Sequence, residues 1–210
     1  MTGPLSDDAF KRLQAELSTP DGPSPPLKKV LEPRYRLLEE LGQGATGRVY
    51  KVFDVRLNRV VALKVLRSDL EAEGAERFRR EAQLMARARH PTIAAVYDID
   101  GRASHSFFTM ELLEGGTLRA ALDGGKLDLR RRIEVLEEVA RGVQAAHDAG
   151  VIHRDLKPTN ILLDLQGKPR IVDFGLARLR TSPSLQTLTG RVMGTAAYMS
   201  PEQVEGKPLD

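Results

Sequence analysis

The main change along the chain is from strand-like to helical sequence patterns, and this change constrains its fold more than any other feature. A run of strand-like segments in the first half of the chain ends at Gly115-Gly116, and short strands alternate with turns again from Val151 to Phe174. The clearest helical pattern lies between them at residues 128–149 and is closed by Gly150. Its apolar residues recur every three or four positions: Leu129, Ile133, Leu136, Val139, Ala140, Val143 and Ala146. Strands followed by helix predict an α+β fold, with a small β-rich lobe before a helical one.

Five strands are predicted in the first lobe, and a helix is predicted between the third and the fourth. The strand-like segments are residues 35–41, 48–54, 58–66, 94–99 and 106–113, and the helical pattern spans 73–88. The segment before them is different, because the prolines of residues 20–26 favour neither helix nor sheet. The predicted organisation is an N-terminal extension over residues 1–34 and one domain over 35–210. Within that domain, the lobes cover about 35–113 and 114–210.

Composition excludes several classes of function. The chain has no Cys, which rules out disulfides, thiolate catalysis and Cys-based metal sites. Its 32 basic and 29 acidic residues are interleaved, whereas a nucleic-acid-binding arm would show a like-charged block. Neither a signal peptide nor an apolar run long enough to span a bilayer is present. We therefore expect a cytoplasmic protein with no nucleic-acid partner and no membrane segment, and the oligomeric state stays open.

A glycine-rich run lies between the first two predicted strands. Gly42, Gln43, Gly44, Gly47 and Val49 form a G-x-G-x-x-G-x-V pattern. Glycines let backbone N–H groups approach a polyphosphate without obstruction by a Cβ atom. A plain hairpin turn is one alternative. A dinucleotide-binding loop is another, but it would open a helix, whereas the segment after Gly47 has a strand pattern.

The third predicted strand carries a lysine in an apolar setting. Lys64 follows Val61, Ala62 and Leu63, so its ammonium needs a carboxylate or phosphate partner if it is buried. Glu81, on the predicted helix, is a candidate partner. The alternative is that Lys64 extends to the surface, but its spacing after the glycine run favours the buried interpretation.

The strongest chemical signal is a short polar loop after the long helix. Residues 153–160 contain His153, Arg154, Asp155, Lys157 and Asn160, and few structural needs would assemble these types so closely. A carboxylate can orient a hydroxyl or accept its proton, a lysine can neutralise a transferred phosphoryl group, and an amide oxygen can bind a metal ion.

A second carboxylate follows the next apolar segment of the chain. Asp173 begins an Asp-Phe-Gly sequence directly after Ile171 and Val172. In that position it could hold Mg²⁺ against the phosphates of a nucleotide. A solvated turn would explain Asp173 alone, but not its combination with the preceding polar loop.

In order and spacing, these motifs resemble the protein kinase superfamily. The resemblance covers residues 35–210, includes Ser200-Pro201-Glu202, and is similar to the bacterial, eukaryotic-like Ser/Thr kinases. It implies a bilobal kinase fold with a complete β-rich lobe and a helical lobe truncated after the activation segment. It also implies ATP and Mg²⁺ as cofactors and proteins with Ser or Thr hydroxyls as substrates.

The resemblance also implies a role for each motif residue. Asp155 would be the catalytic base, assisted by Lys157, and Lys64 would bind the α- and β-phosphates while paired with Glu81. Asn160 and Asp173 would be the metal ligands. The glycine run would cover the phosphates. The adenine site would be formed by Met110 as gatekeeper, Glu111 and Leu113 in the hinge, and Val49, Ala62 and Leu162 around the base.

Substrate class and regulation are predicted from the same loop. Lys157 resembles the Ser/Thr-specific pattern, since tyrosine kinases place other residues there. Arg154 is a suitable partner for a phosphorylated loop over residues 181–195, with Thr187 and Thr189 as preferred sites. The alternative is a polar loop that is merely solvated. Two alternatives to a working kinase stay open: a nucleotide-binding regulatory fragment and an inactive remnant.

Overall fold

The structure, a computed structural model, describes residues 31, 33–44, 47–66, 79, 82–83, 85–102, 105–174 and 196–202. Two compact units can be distinguished. The first comprises Met1–Ala75 and Tyr97–Leu112, and the second comprises Glu76–Val96 and Leu113–Asp210. Most of the predicted extension lies outside the described residues. Among the described residues, no helix has the length and apolar character needed to cross a membrane.

The first unit is built on a five-stranded sheet. Its strands are β1 Tyr35–Gln43, β2 Gly47–Asp54, β3 Arg59–Leu66, β4 Val96–Arg102 and β5 His105–Met110, in the order β1-β2-β3-β5-β4. Neighbours β1 and β2, β2 and β3, and β3 and β5 pair antiparallel. All five predicted strands are therefore confirmed. The last ends at Met110 rather than 113, and the fourth begins at Val96 rather than 94.

One face of this sheet carries the core of the first unit. Alternation along β2 and β3 brings their large apolar side chains to the same side of the sheet. In β3, residues on the other side are buried as well, since Val61–Leu66 are all buried. Tyr35 packs edge-on against Phe107, with ring centroids 5.8 Å apart. The cluster consists of Leu31, Tyr35, Tyr50, Val52, Val61, Leu63, Val65 and Phe107. The residues on the opposite face of the sheet do not belong to this cluster.

The second unit contains helices and one small hairpin. Helix α1 spans Leu118–Asp123 and helix α2 spans Leu129–Asp148, while β6 Ile161–Leu163 and β7 Pro169–Ile171 form the hairpin. Asp128 caps α2, since its carboxylate accepts a hydrogen bond from the Arg131 N–H at 2.7 Å. Gly150 follows α2 with a φ of 73°. The predicted helix is confirmed, and with it the α+β fold.

The apolar residues that predict α2 are buried only in part. The residues that α2 buries are Val135, Val139, Gly142 and Ala146. Leu129, Ile133 and Leu136 are 72%, 59% and 68% exposed. Apolar residues occur on two faces of this helix, and only one of those faces packs on the core of the second unit, which includes Ile161, Ile171 and Phe174.

Candidate active site

The polar loop after α2 is organised around the Asp155 carboxylate. Lys157 Nζ donates to Asp155 Oδ2 at 2.8 Å, and Asn160 Nδ2 donates to the same oxygen at 3.2 Å. Asn160 Nδ2 also donates to the Asp155 carbonyl at 2.8 Å, and the Asn160 N–H donates to the Lys157 carbonyl at 2.8 Å. A short 3₁₀ helix, Pro158–Asn160, brings these groups together. Hydrogen bonds thus bring Asp155, Lys157 and Asn160 together within one loop.

The two oxygens of the Asp155 carboxylate have different environments. Oδ2 accepts the hydrogen bonds from Lys157 and Asn160, whereas Oδ1 is buried and has no hydrogen-bond partner. A buried carboxylate oxygen without a donor is uncommon and costly, because nothing replaces the water it has lost. Oδ1 therefore has acceptor capacity that the described residues do not use.

His153 connects this loop to the segment that carries Asp173. Its ring is 3% exposed and packs on Phe174, with centroids 4.6 Å apart. Nε2 lies 2.9 Å from the Val172 carbonyl, which can only accept, and the Asp155 N–H donates to Nδ1 at 3.2 Å. The ring is therefore the neutral tautomer with its proton on Nε2. Burial lowers the pKa of His153 below its ordinary value, which favours the same neutral form.

Asp173 lies beyond β7 in a conformation that few residues adopt. Its φ is 62°, and Arg154 in the polar loop has a φ of 66°. Left-handed conformations of residues other than glycine are costly and cluster at functional sites. The β6–β7 hairpin joins Asn160 to Asp173, because Ile161 pairs with Ile171 and the Val172 N–H donates to the Asn160 carbonyl at 3.0 Å. One small element thus holds both predicted metal ligands.

The chemistry of these two side chains fits a magnesium ion. Asp173 offers a carboxylate, and the two side-chain hydrogen bonds of Asn160 use its amide nitrogen rather than its amide oxygen. Among the described residues, no group of three or more His, Cys, Asp or Glu could hold a metal ion. A sparse set of oxygen ligands is what Mg²⁺ uses when substrate phosphates and water complete its coordination.

The first unit presents its predicted nucleotide-binding residues on one face of the sheet. Val49 lies opposite Lys64 in the β2–β3 pair, and Ala62 lies opposite Met110 in the β3–β5 pair. Directly paired residues share a face, as do residues two apart along β3. Val49, Ala62, Lys64 and Met110 therefore lie on the face opposite the core. Lys64 is only 3% exposed, so the surface alternative for this lysine is wrong.

The predicted phosphate-binding glycines differ in the space that a side chain at each position would have. A Cβ atom on Gly47 would lie 2.0 Å from the Val65 carbonyl oxygen, so the β2–β3 contact itself requires glycine there. A Cβ on Gly44 would meet only the Gly47 carbonyl oxygen, at 3.8 Å, and one on Gly42 would have no heavy atom within 4 Å. The Gly44 N–H donates to the Gly47 carbonyl at 2.8 Å, which closes the turn after Gln43. Space beside Gly42 and Gly44 is thus available to a ligand.

The remaining predicted site residues are only partly described. Glu111, which follows β5 in the first unit, is half-buried. In the second unit, Leu113 and Leu162 are half-buried, and Leu162 forms an isolated bridge with Thr117. Three predicted site residues lie outside the described part of the chain: Glu81, Thr187 and Thr189. The expected pairing of Lys64 with Glu81 therefore stays a prediction.

One contact beside the site was not predicted from the sequence. Residues Thr92–Ala94 lie alongside β7, since the Ile171 N–H donates to the Thr92 carbonyl at 2.7 Å and the Ala94 N–H donates to the Ile171 carbonyl at 3.0 Å. The apolar residues after Pro91 are the available signal. The strand pattern of the sequence assigns Ala94 and Ala95 instead to the start of a strand in the first lobe.

Comparison with known proteins gives a consistent result. The protein kinase domain model matches residues 35–210. The chain is 44% identical over 184 residues to the serine/threonine-protein kinase PknL of Mycobacterium tuberculosis, covering 86% of this chain and 46% of PknL. It is 42% identical over 191 residues to PknA of the same organism (87% and 44%) and 40% identical over 188 residues to pkn2 of Myxococcus xanthus (86% and 23%). The chain thus spans less than half the length of these relatives.

Proposed function

Because the chain belongs to the protein kinase family, we propose that it transfers the γ-phosphate of ATP to serine or threonine hydroxyls of proteins. The observation that carries the proposal is the Asp155 carboxylate, whose Oδ1 is buried and lacks a hydrogen-bond donor while Lys157 holds Oδ2. The relatives of this chain carry the name serine/threonine-protein kinase. Lys157 also resembles the pattern of Ser/Thr-specific kinases.

In the proposed reaction, Asp155 orients the acceptor hydroxyl and takes its proton. The hydroxyl oxygen bonds to the γ-phosphorus as the bond from that phosphorus to the bridging oxygen of ADP breaks, and the proton passes to Oδ1. Lys157, whose Nζ donates to Oδ2 at 2.8 Å, would offset negative charge on the transferring phosphoryl group. His153 fixes the loop, since its Nδ1 accepts the Asp155 N–H.

The nucleotide and its metal ion are assigned to separate residue sets. Lys64 and the glycine run would bind the phosphates, and the adenine would lie against the sheet face that carries Val49, Ala62 and Met110, with contributions from Glu111, Leu113 and Leu162. Asn160 and Asp173 would hold Mg²⁺. When bound, Mg²⁺ neutralises charge on the phosphate oxygens.

Replacing Asp155 by Asn tests the proposal. The variant keeps the size of the side chain but removes its basicity, so kcat should fall by roughly 10²–10⁴-fold. Nucleotide affinity should change little, because Asp155 is assigned to the acceptor hydroxyl. The measurement is phosphate transfer from labelled ATP to a basic Ser-containing protein, with nucleotide binding followed separately. Asp148→Asn, at the exposed end of α2, is the matched control.

Two outcomes would contradict the proposal. Equal losses of binding and turnover in Asp155→Asn would indicate a structural role for the carboxylate. Nucleotide binding by the unmodified chain without any transfer to protein would favour the regulatory alternative.

We also propose that the protein is regulated by phosphorylation of Thr187 or Thr189, with Arg154 receiving the phosphate. Guanidinium and phosphate form charge-assisted, bidentate hydrogen bonds. The proposal is supported by the position of Arg154, directly before Asp155 and in a left-handed conformation that the surrounding loop must maintain.

A further inference from the structure

The backbone before Asp173 is held from both sides. On one side, Ile171 exchanges hydrogen bonds with Thr92 and Ala94, and Ile93 lies opposite Ile171 in a parallel bridge. On the other side, the Val172 N–H donates to the Asn160 carbonyl at 3.0 Å. The Val172 carbonyl accepts from His153 Nε2 at 2.9 Å. Every backbone hydrogen-bonding group of Ile171 and Val172 is thus engaged.

These bonds matter for the conformation of Asp173. A φ of 62° is unfavourable for aspartate, so it persists only where neighbouring structure imposes it. If residues 171 and 172 moved by a fraction of an ångström, the carboxylate direction would change with them. The position of Thr92 against Ile171 is therefore a determinant of where Asp173 lies.

Helix α2 packs against this junction at Gly142. A Cβ atom on Gly142 would lie 3.1 Å from Ile171 Cδ1, 3.1 Å from Thr92 Cβ and 3.4 Å from Thr92 Cγ2. Contacts as short as 3.1 Å are tighter than almost all real Cβ contacts, so a neighbour would have to move by a few tenths of an ångström. Glycine is unfavourable inside a helix. Its presence in the middle of α2 is explained by this packing.

We propose that Gly142 is a positioning residue for Asp173: the missing side chain lets α2 support Thr92 and Ile171 in the arrangement that fixes the predicted metal ligand. The inference rests on the proposed function for the role of Asp173. The mechanical part, from Gly142 to the backbone of residues 171 and 172, rests on contacts within the second unit alone.

Amide hydrogen exchange in the Gly142→Ala variant tests the mechanical part directly. The Ile171 amide reports the bond to Thr92, the Val172 amide reports the bond to Asn160, and the Leu163 amide, bonded to the Gly116 carbonyl at 2.8 Å, is an internal reference. Exchange at Ile171 and Val172 should accelerate by about tenfold or more, as expected for overpacking by one methyl group, with a much smaller change at Leu163. Gln144→Ala, on the same helix, is the matched control and should change none of the three.

Rescue distinguishes positioning from general destabilisation. Ile171→Val removes Cδ1, which is one of the atoms that the new methyl group would meet. Combining Gly142→Ala with Ile171→Val should therefore recover at least half of the change in the logarithm of the amide exchange rates at positions 171 and 172. If Gly142→Ala does not fold, recovery of folding and of slow Val172 exchange in the double variant supports the proposal. Equal acceleration at all three amides, unchanged exchange, or failure of the double variant to recover would overturn it.

A second readout reports on the metal site. The Mg²⁺ concentration for half-maximal binding of a fluorescent, non-hydrolysable ATP analogue should rise roughly tenfold in Gly142→Ala and return towards the original value in the double variant. An unchanged Mg²⁺ requirement would overturn the link to Asp173. Absence of Mg²⁺-dependent nucleotide binding in the unmodified chain would contradict the proposed function instead, while the exchange rates would still decide whether Gly142 holds residues 171 and 172.

Discussion

At the scale of single residues, the conformation of the polar loop over residues 153–160 depends on side chains that form hydrogen bonds with the backbone. His153 donates to the Val172 carbonyl and accepts from the Asp155 N–H, so it can perform both roles only as the neutral ring. A second proton would place an N–H of the ring against the N–H of Asp155. The protonation state of one buried histidine is thereby coupled to the structure around the Asp155 carboxylate.

This coupling predicts a pH dependence of stability. Because burial depresses the pKa of His153 in the folded state, the unfolded chain binds the proton more tightly. The stabilisation is fully present above the ordinary histidine pKa of about 6.5 and is lost as the pH falls towards the lower folded value. Urea unfolding at pH 7.5 and 5.5 should show this loss, and the loss should be smaller in His153→Gln. An equal loss in both proteins would show that other groups are responsible.

At the scale of elements, the glycines of the β1–β2 turn and of the start of β2 differ in what surrounds them. Gly47 is fixed by contact with the Val65 backbone inside the sheet, whereas Gly44 lies where a side chain would meet almost nothing. A shared glycine motif therefore combines one position set by packing with others available to a ligand. The sequence pattern alone does not separate these roles.

Two alanine substitutions are predicted to separate them. Gly47→Ala should lower the free energy of unfolding by about 1–3 kcal/mol, because its methyl group overlaps the backbone of β3. Gly44→Ala should leave stability within about 0.5 kcal/mol and weaken ATP binding, because the methyl group obstructs the approach of phosphate to the backbone. Chemical unfolding and nucleotide titration measure the two effects. Equal destabilisation by the two variants would contradict this division.

At the scale of the whole molecule, the two units have separate cores and carry separate parts of the proposed chemistry. The sheet of the first unit carries the residues assigned to adenine and phosphate, including buried Lys64. The second unit carries Asp155, Asn160 and Asp173 on a loop and hairpin supported by α2. Substitutions of the first-unit site residues are therefore expected to act mainly through nucleotide binding, and substitutions of Asp155 and Lys157 mainly through the transfer step.

Regulation also belongs to this scale, because Thr187 and Thr189 are more than 30 residues along the chain from Arg154. If a phosphothreonine pairs with Arg154, Thr187→Ala combined with Thr189→Ala should lower the activity of the phosphorylated protein by roughly tenfold, the scale of a lost charge-assisted pair. Arg154→Lys should lower it similarly, since lysine cannot form the bidentate contact. Thr181→Ala with Ser182→Ala is the control. Mass spectrometry of the active protein that finds neither threonine phosphorylated would contradict the proposal.

The sequence by itself determined the five strands, the long helix, the two-part organisation and the set of chemical residues around Asp155. These are local properties, because strand alternation, helical periodicity and a polar cluster within eight residues are all read from neighbouring positions. Asp155, Lys157 and Asn160 lie within six residues of one another and are joined by a short 3₁₀ turn.

Only the tertiary structure decided which face of α2 is buried, why Gly142 and Gly47 lack side chains, and how Asp173 comes to lie in a left-handed conformation. Each depends on residues far apart in sequence: Gly142 on Thr92 and Ile171, Gly47 on Val65, and the backbone before Asp173 on Thr92, Asn160 and His153. Apolar residues on two faces of α2 look equivalent in sequence, because periodicity records that a face is apolar but not what packs against it. That choice is made by the partners that folding brings into contact.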